Sequence, residues 1–134
     1  MSFRFHFVTL EEARIVQRLL AEQFGGSPDL RDEAALELAL AEAVDGHLDG
    51  TAHIAAQMIE AVLEHRPCVE GNLRFGFAIA DIFLRRHGVR FNAAPDQLIA
   101  RLRGFAERTD LSPGFGVMLW LKDYVDEPDD WWRR

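Results

Sequence analysis

Four stretches of this chain place apolar residues at three- and four-residue spacing and then stop on glycine or proline, and that punctuation constrains the fold more than any other feature. Leu10, Ala13, Val16, Leu19 and Leu20 follow a Thr9–Glu12 capping box and halt at Gly25-Gly26. An Ala, Leu and Glu-rich run over 32–45 halts at Gly46. Ile54, Ala55, Met58, Ile59, Val62 and Leu63 form one stripe within 51–66, closed by Pro67. Residues 72–87 are apolar on nearly every side and close at Gly88, which predicts a helix buried at the centre of a helical domain. Pro95 opens a fifth helix to about 108, and Ser112-Pro113 a sixth to about 125. Phe3, Phe5 and Phe7 alternate with Arg4 and His6, the pattern of a short extended arm. The expected fold is all-α: a single domain over 1–134, about six helices around a buried central one, with an N-terminal arm. Its tail, 126–134, is acidic and carries Trp131 and Trp132; it reads either as an exposed terminus docked by tryptophan or as a partner-binding peptide.

Composition narrows the function classes. At 134 residues and 49% hydrophobic, one core is expected, and it needs no disulfide or structural metal. Cys68 is the single cysteine, which excludes an intramolecular disulfide and a CxxC zinc site and suits a reducing, cytoplasmic compartment. Fifteen basic residues against 22 acidic ones give −7, so no broad basic face is available for nucleic acid, and a cationic partner fits better. Lys122 is the only lysine; an anion site here must use guanidinium groups or backbone amides. No window approaches the roughly 18 apolar residues of a membrane span, and the first residues show no export signal.

The stretch Glu64-His65-Arg66-Pro67-Cys68-Val69-Glu70-Gly71-Asn72-Leu73-Arg74 joins two of the expected helices and gathers an imidazole, a carboxylate, a Gly-Asn turn and an arginine. Gly71 allows close backbone approach, and the helix starting at Asn72 offers free N–H groups and a positive dipole end to an anion. Arg74 in its first turn can fork onto a phosphate, and Glu70 can hold a hard cation such as Mg²⁺ bridging phosphates. The same residues also read as a plain turn, a carboxylate favoured by the helix dipole and a surface charge.

This segment resembles the Doc (death-on-curing) branch of the Fic/Doc, or Fido, family, whose motif reads His-Pro-Phe-x-Asp-Gly/Ala-Asn-Lys-Arg between two helices. The resemblance extends over roughly residues 7 to 125, through Phe7-Val8-Thr9-Leu10-Glu11-Glu12, the stretch from Phe24 to Glu33, and Ala80-Asp81-Ile82-Phe83-Leu84 on to Gly88-Val89. It implies a Fic/Doc-like bundle and a toxin of a toxin–antitoxin pair that moves a phosphoryl or nucleotidyl group from a nucleoside triphosphate, with Mg²⁺, onto a protein hydroxyl. It also implies an antitoxin partner and a protein target. Gly71, Asn72 and Arg74 would hold phosphate and Glu70 the metal. The family's self-inhibitory Ser/Thr-x-x-x-Glu-Gly/Asn pattern is not found in the chain, so restraint would come from another chain.

The motif departs from the family where the chemistry sits. Aligning Pro67, Glu70, Gly71, Asn72 and Arg74 puts Arg66 at the position of the general base, with His65 one residue early. At 100° per residue, the apolar stripe of the preceding helix centres about 30° from the Arg66 direction and about 70° from that of His65. Arginine stays protonated, and losing a general base typically costs roughly 10²–10⁴-fold in rate. Leu73 replaces the motif lysine and Phe77 a second arginine; Cys68 replaces the motif phenylalanine, and Phe75 a threonine. The expectation is therefore a Doc-like protein with impaired transfer chemistry, acting through partner, anion or nucleotide binding. The alternative is an active transferase in which His65 swings in as a displaced base.

Overall fold

The structure is a computed structural model, described here for residues 6–45, 50–108 and 121–126. Among the described residues the α-helices are α1 (Leu10–Phe24), α2 (Glu33–Asp45), α3 (Thr51–His65), α4 (Asn72–Arg86) and α5 (Pro95–Arg108). Two short strands, β1 (Arg90–Phe91) and β2 (Val125–Asp126), pair antiparallel, Arg90 opposite Asp126 and Phe91 opposite Val125.

Each helix end has a local cause. Thr9 and Glu12 close the capping box at the start of α1, the Thr9 hydroxyl accepting from the Glu12 N–H and the Glu12 carboxylate accepting from the Thr9 N–H. The Asp32 carboxylate accepts from the Ala35 N–H and so starts α2 at Glu33. Gly88 at φ 72° ends α4: its N–H bonds Arg85 O and the Val89 N–H bonds Leu84 O, the crossed pair of a Schellman motif.

α3 and α4 together make the centre. α3 buries Ile54, Ala55, Met58, Ile59 and Val62, and α4 buries Phe75, Phe77, Ile79, Phe83 and Leu84. Each buried Phe contributes roughly 1.5–3 kcal/mol over leaving it in water, so α4 supplies much of what holds the domain together. The two helices approach closely at Gly76, where a Cβ would stand 3.4 Å from the Ile59 Cα. α2 adds Leu36, Ala39 and Ala43, α5 adds Leu98 and Leu102, and Val8, Val89 and Leu121 complete the cluster.

Two expectations change. The centre is a helix pair rather than α4 alone, because the outer side of α4 carries Asp81 and Arg85, joined as an i,i+4 ion pair, and stays partly exposed. The sixth helix, expected over 112–125, does not reach Val125: after Leu121 the chain tightens into a 3₁₀ turn at Lys122–Tyr124, and Val125 enters β2, since its ladder with β1 satisfies backbone groups that a helix would otherwise pair. The rest of that expected helix, most of the tail and Phe3 and Phe5 of the arm lie outside the described residues. Within them the arm is seen at His6 to Val8, with Phe7 stacked on Phe83 at 5.7 Å. No helix among the described residues is long and apolar enough to cross a membrane.

Candidate functional site

The α3–α4 connection begins with an unusual backbone. Arg66 caps α3 at φ 50° and ψ 59°, the only non-glycine residue with positive φ among those described. Pro67 disfavours a right-handed helical residue before it, and the left-handed alternative costs roughly 1–2 kcal/mol for a side chain with a Cβ. Arg31 offsets part of this: its Nε donates to Arg66 O and its Nη2 to His65 O, both at 2.7 Å. Pro67 O accepts from the N–H groups of Arg31 (2.7 Å) and Asp32 (3.3 Å), and Leu30 forms an antiparallel bridge with Cys68. The segment ahead of α2 thus straps the end of α3 in place.

The connection then closes on itself. Asn72 Oδ1 accepts from the Cys68 N–H (2.9 Å), and its Nδ2 donates to Cys68 O (3.1 Å), so the Asn72 amide is spent on shaping the loop. Gly71 takes φ 76° as the N-cap of α4, with no side chain capping the helix and no acidic residue in its first turn. The opening N–H groups of α4, and the positive end of its dipole, are left for an outside anion.

Glu70 turns toward a different wall. Its Oε1 accepts from the Ser27 N–H at 3.3 Å, its carbonyl lies 3.5 Å from Gln17 Nε2, and its side chain packs on Gly26, where a Cβ would meet the carboxyl carbon at 3.0 Å. Gly26 at φ 87° is needed on both counts, conformation and space.

These pieces line a cavity of about 550 Å³ bounded by Arg31, Arg66, Glu70, Gly71, Arg74 and Arg103, with Leu63, Cys68 and Leu73 supplying apolar wall. Among the described residues, four of the chain's 14 arginines line it together with one carboxylate, although the whole chain carries −7. Arg74 Cζ sits over the Phe24 ring, 4.0 Å from its centroid, which holds the guanidinium at the cavity edge. Cys68 is buried and its thiol is pushed up to about 12 by burial, so it is packing material and not a nucleophile at neutral pH.

Of the residues singled out from sequence, Arg66, Glu70, Gly71, Asn72 and Arg74 line this cavity and His65 does not. The His65 ring turns to α2, its Nε2 donating to Glu42 Oε1 at 2.7 Å. Glu42, Glu64 and His65 bring their donor atoms within 4.8 Å of one another, and Glu70, the residue to which the resemblance gives the metal, is not among them. Arg31, Arg103, Phe24 and Gly26 were not anticipated. No periodic pattern marks them, because each reaches the site through a tertiary contact.

No family model matches the chain, and no curated protein matches it.

Proposed function

We propose that this chain is a Doc-like protein of the toxin–antitoxin type that binds a phosphate-bearing ligand at the start of α4 and lacks an effective general base, acting by binding rather than by transfer. The observation that carries this reading is the pairing, in one cavity, of an uncapped helix N-terminus with, among the described residues, four arginines and one carboxylate. Backbone N–H groups and guanidinium forks are the two protein groups best matched to phosphate oxygens. The base would have to accept a hydroxyl proton at about 3 Å. Arg66, at the edge where the family motif has its histidine, carries a guanidinium that offers only N–H donors and no acceptor for a hydroxyl proton, and His65 is engaged with Glu42.

Glu70 is the only acid among the described residues lining the cavity. It would supply one carboxylate to Mg²⁺, leaving phosphate oxygens and water to complete the octahedron, and it would have to leave the Ser27 N–H to do so. Protein partners, an antitoxin-like segment or a target, belong to the same reading.

Calorimetric titration with ATP and Mg²⁺, and with inorganic phosphate, tests the binding half, and labelling of lysate proteins with nucleotide carrying label on the α- or γ-phosphate tests the rest. Binding that Arg74→Ala weakens by roughly tenfold or more, without transfer of either label, is expected. Robust labelling of a target protein sinks the impaired-transferase reading, and absence of any anion binding sinks the site.

A further inference from the structure

The end of α4 carries a second chemically defined device. His87 caps this helix, and both of its ring nitrogens are committed to backbone groups of fixed polarity. Nδ1 lies 2.7 Å from Phe83 O, and Nε2 lies 3.0 Å from the His6 backbone nitrogen. A carbonyl can only accept and an N–H can only donate, so Nδ1 carries the ring proton and Nε2 presents its lone pair. The neutral ring satisfies both partners in this one tautomer. An added proton has no place except Nε2, where it would face the His6 N–H donor.

We propose that the His87 ring is a proton-sensitive clasp that holds the N-terminal arm at His6 and lets go on acidification. Its centroid is 4.5 Å from that of Phe83 and 5.6 Å from that of His6. Among the described residues, the charged or titratable groups around it include His6 on the arm, Arg86 on α4 and, beyond it, Glu12 on α1, whose carboxylate is taken up by the Arg86 guanidinium and the Thr9 N–H. Burial, with the charges of His6 and Arg86 behind it, holds the ring below the ordinary 6.5, while the Phe83 bond opposes this in part.

The release is confined to the outermost part of the arm. Phe7 O accepts from Arg86 Nη1 at 3.1 Å, Phe7 stacks on Phe83, and Val8 is buried in the core. None of these contacts uses the His87 lone pair. Acidification therefore frees His6 while α1 and α4 stay packed, uncovering the His87 edge of α4.

NMR on the full chain tests this. In a pH titration, the ring ¹⁵N shifts of His87 are expected to show the Nδ1–H tautomer at neutral pH and a midpoint below 6.5. The protection of the His6 amide, corrected for the intrinsic pH dependence of exchange, is expected to fall roughly tenfold across that midpoint. Far-UV circular dichroism should stay constant over the same range. His6→Ala keeps the backbone donor and His6→Pro removes it. The His87 midpoint should lie about 0.5–1 pH unit higher in the proline variant than in the alanine variant, because only there is the lone pair released. Equal midpoints in the two variants, an Nε2–H tautomer, or a His6 amide that stays protected through the titration would each overturn the proposal.

Discussion

His65 and Arg66 are consecutive in the chain and serve opposite sides of it: the imidazole of the first is 2.7 Å from Glu42 on α2, and the guanidinium of the second lines the cavity at the start of α4. The backbone separates them: α3 ends at His65, and Arg66 turns out of the helix at φ 50° and ψ 59°.

Removing the His65 ring should therefore leave anion binding alone. His65→Ala is expected to change the affinity for phosphate by less than about twofold. It should lower unfolding free energy by about 1 kcal/mol or less, because the Glu42 side of the pair is 45% exposed. Calorimetry and urea denaturation on the same protein give both numbers, and a large loss of binding would return His65 to the site.

Arg66→Gly should separate stability from binding. Glycine adopts φ 50° without the cost a Cβ imposes, so the variant is expected to be more stable by about 0.5–1 kcal/mol after glycine's own entropy is deducted. Phosphate affinity should drop in the same variant, since a cation has left the cavity. A chemical denaturation midpoint below that of the parent would contradict the account of the α3 cap.

Arg31→Ala removes two bonds from a charged donor to the carbonyls of His65 and Arg66. A loss of about 1–2 kcal/mol is expected, given that the side chain lies toward solvent. Hydrogen exchange should speed up at the α3–α4 connection more than in the middle of α3, a pattern a uniformly destabilised protein would not show.

Acid should loosen the α1–α4 corner through Glu12. The Arg86 guanidinium and the Thr9 N–H hold its carboxyl at about 2, down from 4.5. A folded-state value below the unfolded one means that the stabilisation is complete above pH 4.5 and is lost as pH falls from 4.5 toward 2. Glu12→Gln should be less stable than the parent at neutral pH, with the gap closing over that window. A gap that persists unchanged to pH 2 would show that the charge is not its source.

Helices α1 to α5 were legible because their boundaries rest on chemistry within a few residues: the Thr9–Glu12 box, Gly25, Pro67, Gly88 and Pro95. The polar segment that carries the cavity was legible for the same reason, as a turn and a helix start lying next to each other in the chain. What escaped was long-range. The Leu30–Cys68 bridge is a single residue pair with no repeating pattern, and β2 is two residues long, too short for alternation to register. The Asn72 amide spent on Cys68, and the Glu70 carboxyl drawn to Ser27, follow from where distant backbone atoms happen to lie.

Arg31 reaches its carbonyl partners across 35 residues of sequence, so the floor of the cavity is assembled from two widely separated stretches of chain. A fragment beginning at α2 would keep every residue of the Pro67–Arg74 segment and still lose its shape. Random mutagenesis scored on ligand capture should accordingly return hits in the turn ahead of α2, far upstream of any residue that touches the ligand through the α4 amides.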